Sequence, residues 1–272
     1  AASIASILES KGVKVGLYTS PHLVKLNERI QINRKCISNY HINKFIMQNK
    51  NKIINQSGTF FESMTVLAMD YFNKQKVDIA ILETGLGGKY DSVTACKPSL
   101  QIFTTISKDH IHILGNTIEE IATNKASAIQ YKTPCISASQ HPKVKTILNN
   151  FAKQNSTSIN YNLPQFNHHY SSPLSGNHQI ENIQLAIKAS KILYNINHNE
   201  IIQGIKNISW PGRIQTIHKN PKVIFDVCHN NQSIIELCNT LRTHPVSGKP
   251  VNFGTLMKEV YNIGSGQSYS GM

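Results

Sequence analysis

Glu83 ends an apolar run at 77–82 and is followed within two residues by Gly85-Leu86-Gly87-Gly88. A carboxylate at a strand tip can hold a magnesium ion, and glycines beside it let backbone N–H groups approach an anion. The same residues also make an ordinary tight turn with a solvent-facing glutamate. Three more polar clusters follow apolar runs: Thr19-Ser20-Pro21-His22, Ser107-Lys108-Asp109-His110 and Asp226-Val227-Cys228-His229-Asn230. His110, in Asp109-His110-Ile111-His112-Ile113-Leu114-Gly115, reads either as a hydrogen-bonded structural histidine, a description that suits His112 too, or as a ligand. The ligand reading needs a metal with few protein donors, and magnesium fits because it keeps several waters and shares phosphate oxygens. No HExxH or CxxC pattern supports zinc. Lys125 follows Glu119-Glu120-Ile121-Ala122 in a helical stretch and, read locally, is a solvated lysine. Glu120, five residues upstream, is poorly spaced for a helix ion pair with it. Asn230 is suited to capping the helix that follows.

These clusters need elements to position them. Strands are expected at residues 13–18, 77–82, 101–106, 135–137, 223–225 and 251–254, and helices at 2–11, 59–73, 117–129, 142–154, 180–194, 199–207 and 232–241. Such alternation favours parallel pairing through crossover helices, hence an α/β sheet covered on both faces. Ligands then bind beyond the carboxyl ends of the strands, where four of the six expected strands end in a polar or glycine-rich cluster. The segment 160–177, rich in Asn, His, Ser and Pro, reads as a loop excursion. Trp210-Pro211-Gly212-Arg213 interrupts a helix-to-strand transition and marks an expected domain boundary.

The composition narrows the class. With 40% apolar residues over 272 the chain is too hydrophobic for disorder, and it has no continuous apolar run long enough for a membrane span. The opening AASIASIL has no basic segment before it and is cut short by Glu9-Ser10-Lys11, so it reads as the start of a helix and not as a signal peptide. The net charge of +13 suggests nucleic acid at first sight. Yet residues 1–136 carry 16 basic and 10 acidic side chains and residues 137–272 carry 12 and 5, with no basic tail. Evenly spread charge, without aromatics interleaved on a basic face, counts against a nucleic-acid partner. The five cysteines (Cys36, Cys96, Cys135, Cys228, Cys238) are odd in number and widely spaced, which implies reduced thiols and a cytoplasmic protein.

The joint pattern resembles the folylpolyglutamate synthase/dihydrofolate synthase family, relatives of the Mur ligases. The segments that carry the resemblance run in family order: ESKGVKVGLYTSPHLVKLNERIQIN (9–33), TFFESMTVLAMDYF (59–72), ILETGLGGKYD (81–91), DHIHILGNTIEEIATNKA (109–126), LSGNHQIENIQLAI (174–187), WPGRIQ (210–215), FDVCHNN (225–231) and VNFGTLMKE (251–259). The pattern drifts in places: TGLGG stands for the usual VGLGG, Thr94 for an asparagine, Ser107-Lys108 for Gly-Leu, and DVCHNN for DGAHNP. The family's GTNGKGS/T phosphate loop has no counterpart, and YNIGSGQSYSGM matches nothing in the family. The resemblance therefore implies a piece of a longer ligase, lacking that loop and most of a second domain.

The implied fold is α/β: a mostly parallel sheet of the P-loop ATPase type, like the central domain of Mur ligases, over residues 1–212, then the start of a Rossmann-like C-terminal domain over 213–272. The implied activity is ATP-dependent, ADP-forming joining of L-glutamate to dihydropteroate or a folate through an acyl phosphate. Carried over by motif, Ser20, Glu83 and His110 are magnesium positions, with two magnesium ions expected. Lys125 matches a lysine that the family carbamylates, and with His110 it forms the expected catalytic pair. Asn182, Arg213, Asp226 and His229 match ATP-contacting positions, while Pro21, His22 and Phe61 lie on the folate side. The implied partners are small molecules only, with no nucleic acid and no membrane, acting on a monomer. Two other readings stand beside this one: a Mur-type cell-wall ligase, against which TSPHL and NERI argue, and a noncatalytic nucleotide- or nucleic-acid-binding protein.

Overall fold

In the computed structural model, residues 1–165, 170–220 and 222–243 are described. The first sheet is built on β1 (Val15–Tyr18), which is buried along its whole length. A parallel partner, β4 (Ile79–Leu82), pairs with it from Val15↔Ile79 to Tyr18↔Leu82. On the other side β1 pairs antiparallel with β2 (Ile30–Ile32), and β2 with β3 (Lys35–Cys36). A second, fully parallel sheet has the order β5 (Gln101–Phe103), β6 (Cys135–Ser137), β7 (Ile159–Asn160). The last two strands, β8 (Gln215–Lys219) and β9 (Lys222–Phe225), form an antiparallel hairpin.

One apolar layer spans the first, mixed sheet and the second, parallel one. Helices α1 (Ala2–Ser10), α7 (Asn177–Leu193) and α8 (His198–Lys206) pack Ile4, Ile7, Leu8, Ile183, Ile187 and Ile201 against Val15 and Leu17 of β1, Ile79 and Ile81 of β4, Ile102 of β5 and Ile136 of β6. The opposite face of the first sheet is covered by α2 (Asn39–Asn55) and α3 (Phe60–Lys74), through Phe45, Met64, Leu67 and Phe72. That of the second is covered by α5 (Ile118–Ala126) and α6 (Pro142–Gln154), through Ile121, Ala122, Val144 and Leu148. Residues Ala1–Thr240 make one compact unit. Short α4 (Ile111–Leu114) and α9 (Asn231–Thr243) complete the elements. No helix among the described residues is long and apolar enough to cross a membrane, and all five cysteines are free thiols.

The expected alternation holds, and β6 and α6 match residue for residue. Several expectations are corrected. The runs 13–18 and 77–82 each begin pairing two residues later, and 101–106 leaves the sheet after Phe103, with Ile106 N–H donating to the Gln140 side chain instead. Helix α2 stands where no helix was expected, because only Phe45 of its 17 residues is buried and a 3.6-residue apolar stripe is almost absent. The strands β2, β3, β7 and β8 are also additional, and those at β2, β3 and β8 pair antiparallel. The strand expected at 251–254 lies outside the described residues.

Helix starts are set by local chemistry. Thr59, Thr117 and Asn197 each accept from the N–H three residues on, while Glu62, Glu120 and Glu200 reach back in reciprocal capping boxes. The crossing of α1 and α8 depends on Gly204. Ser6 Oγ donates to the Gly204 carbonyl at 2.6 Å, and a Cβ on Gly204 would lie 2.5 Å from Ile7 Cα. Because the obstacle is backbone, relief requires one helix to shift. Gly204→Ala should destabilise the fold by about 1–3 kcal/mol, read as a lower midpoint in thermal or urea unfolding.

Candidate functional site

The parallel pairing of β1 with β4 brings two of the clusters together. Glu83 N–H donates to the Tyr18 carbonyl at 2.9 Å, extending the ladder by one residue, and Ser20 N–H donates to Glu83 Oε2 at 3.0 Å. Ser20 and Glu83 therefore meet at one pair of strand tips.

The glycine turn after Glu83 is held from two sides. Asp91, buried at 8% exposure, accepts Gly85 N–H and Leu86 N–H on Oδ2, both at 2.8 Å, and Val93 N–H on Oδ1 at 2.9 Å. Gly88 N–H donates to Asn124 Oδ1 at 3.1 Å. Glycine is required here: Gly87 has φ +68°, and a Cβ on Gly88 would lie 2.9 Å from the Lys125 carbonyl oxygen. The turn thus lies directly on the end of α5 that carries Lys125. Burial pushes the Lys125 amine below the ordinary lysine value, and the charges of Asp109 and Asp91 oppose that shift.

His110, seven residues past β5, stands at the start of α4 in a left-handed conformation, φ +48° and ψ +41°. Asp109 Oδ1 accepts His110 N–H at 2.8 Å, and Asp109 Oδ2 lies 3.9 Å from His110 Nε2. His110 is thereby associated with Asp109, which also acts on Lys125. Its contact is with Asp109 and not with the Ser20–Glu83 pair. Among the described residues, no three His, Cys, Asp or Glu side chains converge as a metal-ligand group.

The remaining polar candidates surround a cavity of about 670 Å³, lined by Asn182, Arg213, Asp226 and His229 together with Thr105, Glu181 and Asn230. Asn182 Nδ2 donates to Gln179 Oε1 at 3.3 Å, and Arg213 Nη1 donates to the Gly212 carbonyl at 3.2 Å. Asp226 is engaged at both oxygens, accepting Ile214 N–H at 2.7 Å and Cys228 N–H at 2.8 Å. His229 Nδ1 lies 3.0 Å from the Val227 carbonyl. A carbonyl can only accept, so Nδ1 is the donor in this contact. Cys228, between them, has its thiol pushed up to about 11 by burial and by the Asp226 charge, which keeps it protonated and unreactive.

The folate-side candidates take two environments. His22 Nδ1 accepts from Arg29 Nε at 2.9 Å, and the Arg29 guanidinium stands over the Phe60 ring, 5.4 Å from its centroid. Pro21 is exposed between Ser20 and His22. Phe61 packs inward, 5.8 Å from the Tyr18 ring and directly beneath Gly85, where a Cβ would lie 2.4 Å from Phe61 Cζ.

Comparison with known proteins bears on this arrangement. The Mur ligase middle domain matches residues 31–163. The dihydrofolate synthase/folylpolyglutamate synthase of Bacillus subtilis is 33% identical over 275 residues, a match covering 89% of this chain and 64% of that protein. The chain belongs to the folylpolyglutamate synthase/dihydrofolate synthase family. Its fold is similar to that of Mycobacterium tuberculosis folylpolyglutamate synthase complexed with ADP and AMPPCP, with a TM-score of 0.82, 25% identity and coverage of 89% of this chain and 63% of that one. It is also similar to the Escherichia coli FolC protein in complex with DHPP and ADP, with a TM-score of 0.81, 26% identity and coverage of 91% and 63%. This folylpolyglutamate synthase relative spans less than two thirds of the length of each.

In this family member the Glu83 carboxylate meets the Ser20 backbone at a strand tip, and a carboxylate and a serine hydroxyl are hard oxygen donors of the kind that suits magnesium, which binds through one or two carboxylates and keeps its waters. Sequence reasoning left out Asp91, Asn124 and Arg29. Asp91 had a local signal, an Asx residue six positions after Gly85 that opens a short turn through Ser92–Ala95. Asn124 had none, because its partner Gly88 lies 36 residues away.

Since the Lys125 amine titrates below 10.5 in the folded chain, the folded state binds fewer protons than the unfolded one between its lowered value and 10.5. Stability therefore rises with pH across that window. Lys125→Met should remove this rise and slightly raise the unfolding midpoint at neutral pH. Thermal melts from pH 7 to 10 in bicarbonate-free buffer measure both.

Proposed function

We propose that the protein acts as an ATP-dependent, ADP-forming ligase that joins L-glutamate to dihydropteroate, to a folate, or to both. One observation carries this reading. A parallel-sheet edge presents the Ser20–Glu83 pair and the glycine turn packed on Lys125, while Asn182, Arg213, Asp226 and His229 line one cavity. The relatives known in complex with AMPPCP, ADP and DHPP support nucleotide and pterin-type ligands for this chain.

In the reaction, the acceptor's carboxylate oxygen attacks the γ-phosphorus of ATP and ADP leaves. The amine of L-glutamate then attacks the acyl carbon, phosphate departs and the amine proton is lost to a base. Charge neutralisation, positioning and exclusion of water from the acyl phosphate are what such chemistry demands of a protein. Glu83 and Ser20, with His110 as a further donor, would hold magnesium, which when bound neutralises phosphate charge. Arg213 supplies a fixed positive charge on the cavity wall, Asn182 a neutral amide, and Asp226 and His229 the far side near ATP and glutamate. Residues 1–212 carry the ATP and folate functions and residues from 213 onward the glutamate end.

Lys125 fits the carbamylated lysine of the family on physical grounds. Burial lowers its amine's affinity for protons, and the neutral amine is the form that combines with carbon dioxide. As a carbamate it would carry a negative charge toward a second magnesium. Pro21, His22 and Phe61, with Arg29 beside His22, form the folate side. The five free thiols support a cytoplasmic setting, and the protein works as a monomer on small molecules.

The test is ADP release by protein expressed from its complete coding sequence, with dihydropteroate or a folate and with or without L-glutamate. Glutamate-dependent turnover is the expected result; its absence with every acceptor sinks the reading. Glu83→Ala should lower kcat by about a hundredfold or more. Near-normal turnover in that variant would remove Glu83 from the metal site.

A further inference from the structure

Asp109 joins two parts of the candidate site that lie far apart in sequence. One oxygen, Oδ1, accepts the His110 backbone N–H at 2.8 Å. The other, Oδ2, accepts Asn230 Nδ2 at 2.9 Å across 121 residues of sequence. Its charge also acts on the Lys125 ammonium.

Asn230 is itself two-ended. While Nδ2 donates to Asp109, Oδ1 accepts Ser233 N–H at 2.8 Å at the start of α9. The loop that Asn230 terminates is internally braced. Asp226 Oδ1 accepts Cys228 N–H, His229 Nδ1 meets the Val227 carbonyl, and Ser233 Oγ accepts the N–H groups of His229 and Asn230 at 3.2 and 3.1 Å. Asp226 Oδ2 and Val227 N–H tie the start of this loop to Ile214 N–H and the Gly212 carbonyl, so a tether at Asn230 fixes its other end, where His229 stands. A hydrogen bond to an ionised carboxylate is about twice as strong as a neutral one and can serve as that tether.

We propose that Asp109 is a positioning residue: through Asn230 it holds the end of the Asp226–His229 loop against the turn that carries His110. The carboxylate is needed for this, because both oxygens are used as acceptors. An amide in its place would aim an N–H at one of two donors. The use made of this placement rests on the ligase reading; the tether itself does not.

Four variants separate the roles. Asp109→Ala removes the tether and the charge. Asn230→Ser keeps a capping side chain for α9 but is too short to reach Asp109, and Asn230→Asp keeps the cap and sets two carboxylates against each other. The exchanged pair Asp109→Asn/Asn230→Asp restores one donor and one acceptor with roles reversed, and leaves residue 109 without charge. Hydrogen exchange of the segment 226–233 in the 272-residue chain should be about tenfold faster in each single variant and return most of the way in the exchanged pair. Exchange unchanged in Asp109→Ala and Asn230→Asp, or no recovery in the exchanged pair, overturns the tether.

Steady-state kinetics on the full-length enzyme add a readout that loss of stability alone would not split. Asn230→Ser should raise KM for ATP with kcat nearly kept, while Asp109→Ala lowers kcat as well. The exchanged pair should recover KM but not kcat. Full recovery of kcat there overturns a role for the Asp109 charge at the His110 and Lys125 end. If the unsubstituted enzyme shows no glutamate-dependent turnover, the ligase reading falls, and the exchange measurements still decide the tether.

Discussion

The parallel pairing of β1 with β4 is the constraint on which the site depends. In register from Val15↔Ile79 to Tyr18↔Leu82, it makes both strands end at the same level, so the residues that follow meet beyond the sheet. The Glu83 amide continues the ladder to Tyr18, and its carboxylate turns back to accept the Ser20 amide. Two segments more than sixty residues apart in sequence are thereby fixed to each other by hydrogen bonds that no loop could make alone. Burial on both faces of this sheet excludes a slipped register, since a one-residue shift would turn Val15 and Leu17 out of the layer under α1 and α7.

Backbone proximity then does for Lys125 what strand pairing does for Glu83. The turn of Gly85 to Gly88 lies so close to the last turn of α5 that side chains would collide with the Asn124 and Lys125 carbonyls. Asp91 gathers the turn's amides from one side and Asn124 receives Gly88 from the other. The glycine sequence is here a packing surface as well as a bend, and the helix it packs against carries a half-buried amine. The capping box of Thr117 and Glu120 fixes where that helix begins, which occupies the carboxylate nearest upstream of Lys125.

The strand tips and their clusters were legible in the sequence because apolar runs followed by Gly, Pro, Ser or Asp report strand ends through local chemistry. The cores of α1, α3, α5, α6 and α7 were legible for the same reason, through helical periodicity and caps. Helix α2 was not, because a helix that buries one residue leaves almost no stripe to read. Short antiparallel strands such as β2 and β3, three and two residues long, also fall below what alternation can signal. Among the site residues, the contact of Ser20 with Glu83 and that of Asp109 with Asn230 both depend on chain segments meeting from far apart.

Sequence alone determined the residue types: oxygen donors at strand ends, glycines beside them, a lysine in a capped helix, and thiols too scattered to pair. It determined the alternation of strand and helix as well, because both follow from side-chain chemistry within a few residues. Tertiary structure alone decided which of these groups share a surface. It buried Lys125 enough to depress its proton affinity, spent both oxygens of Asp226 on backbone amides, and set Asp109 between His110 and the loop that ends at Asn230. Proton affinity and hydrogen-bond vacancy are set by what surrounds a group in space, and those surroundings come from strand register and helix packing over distances that no local motif encodes.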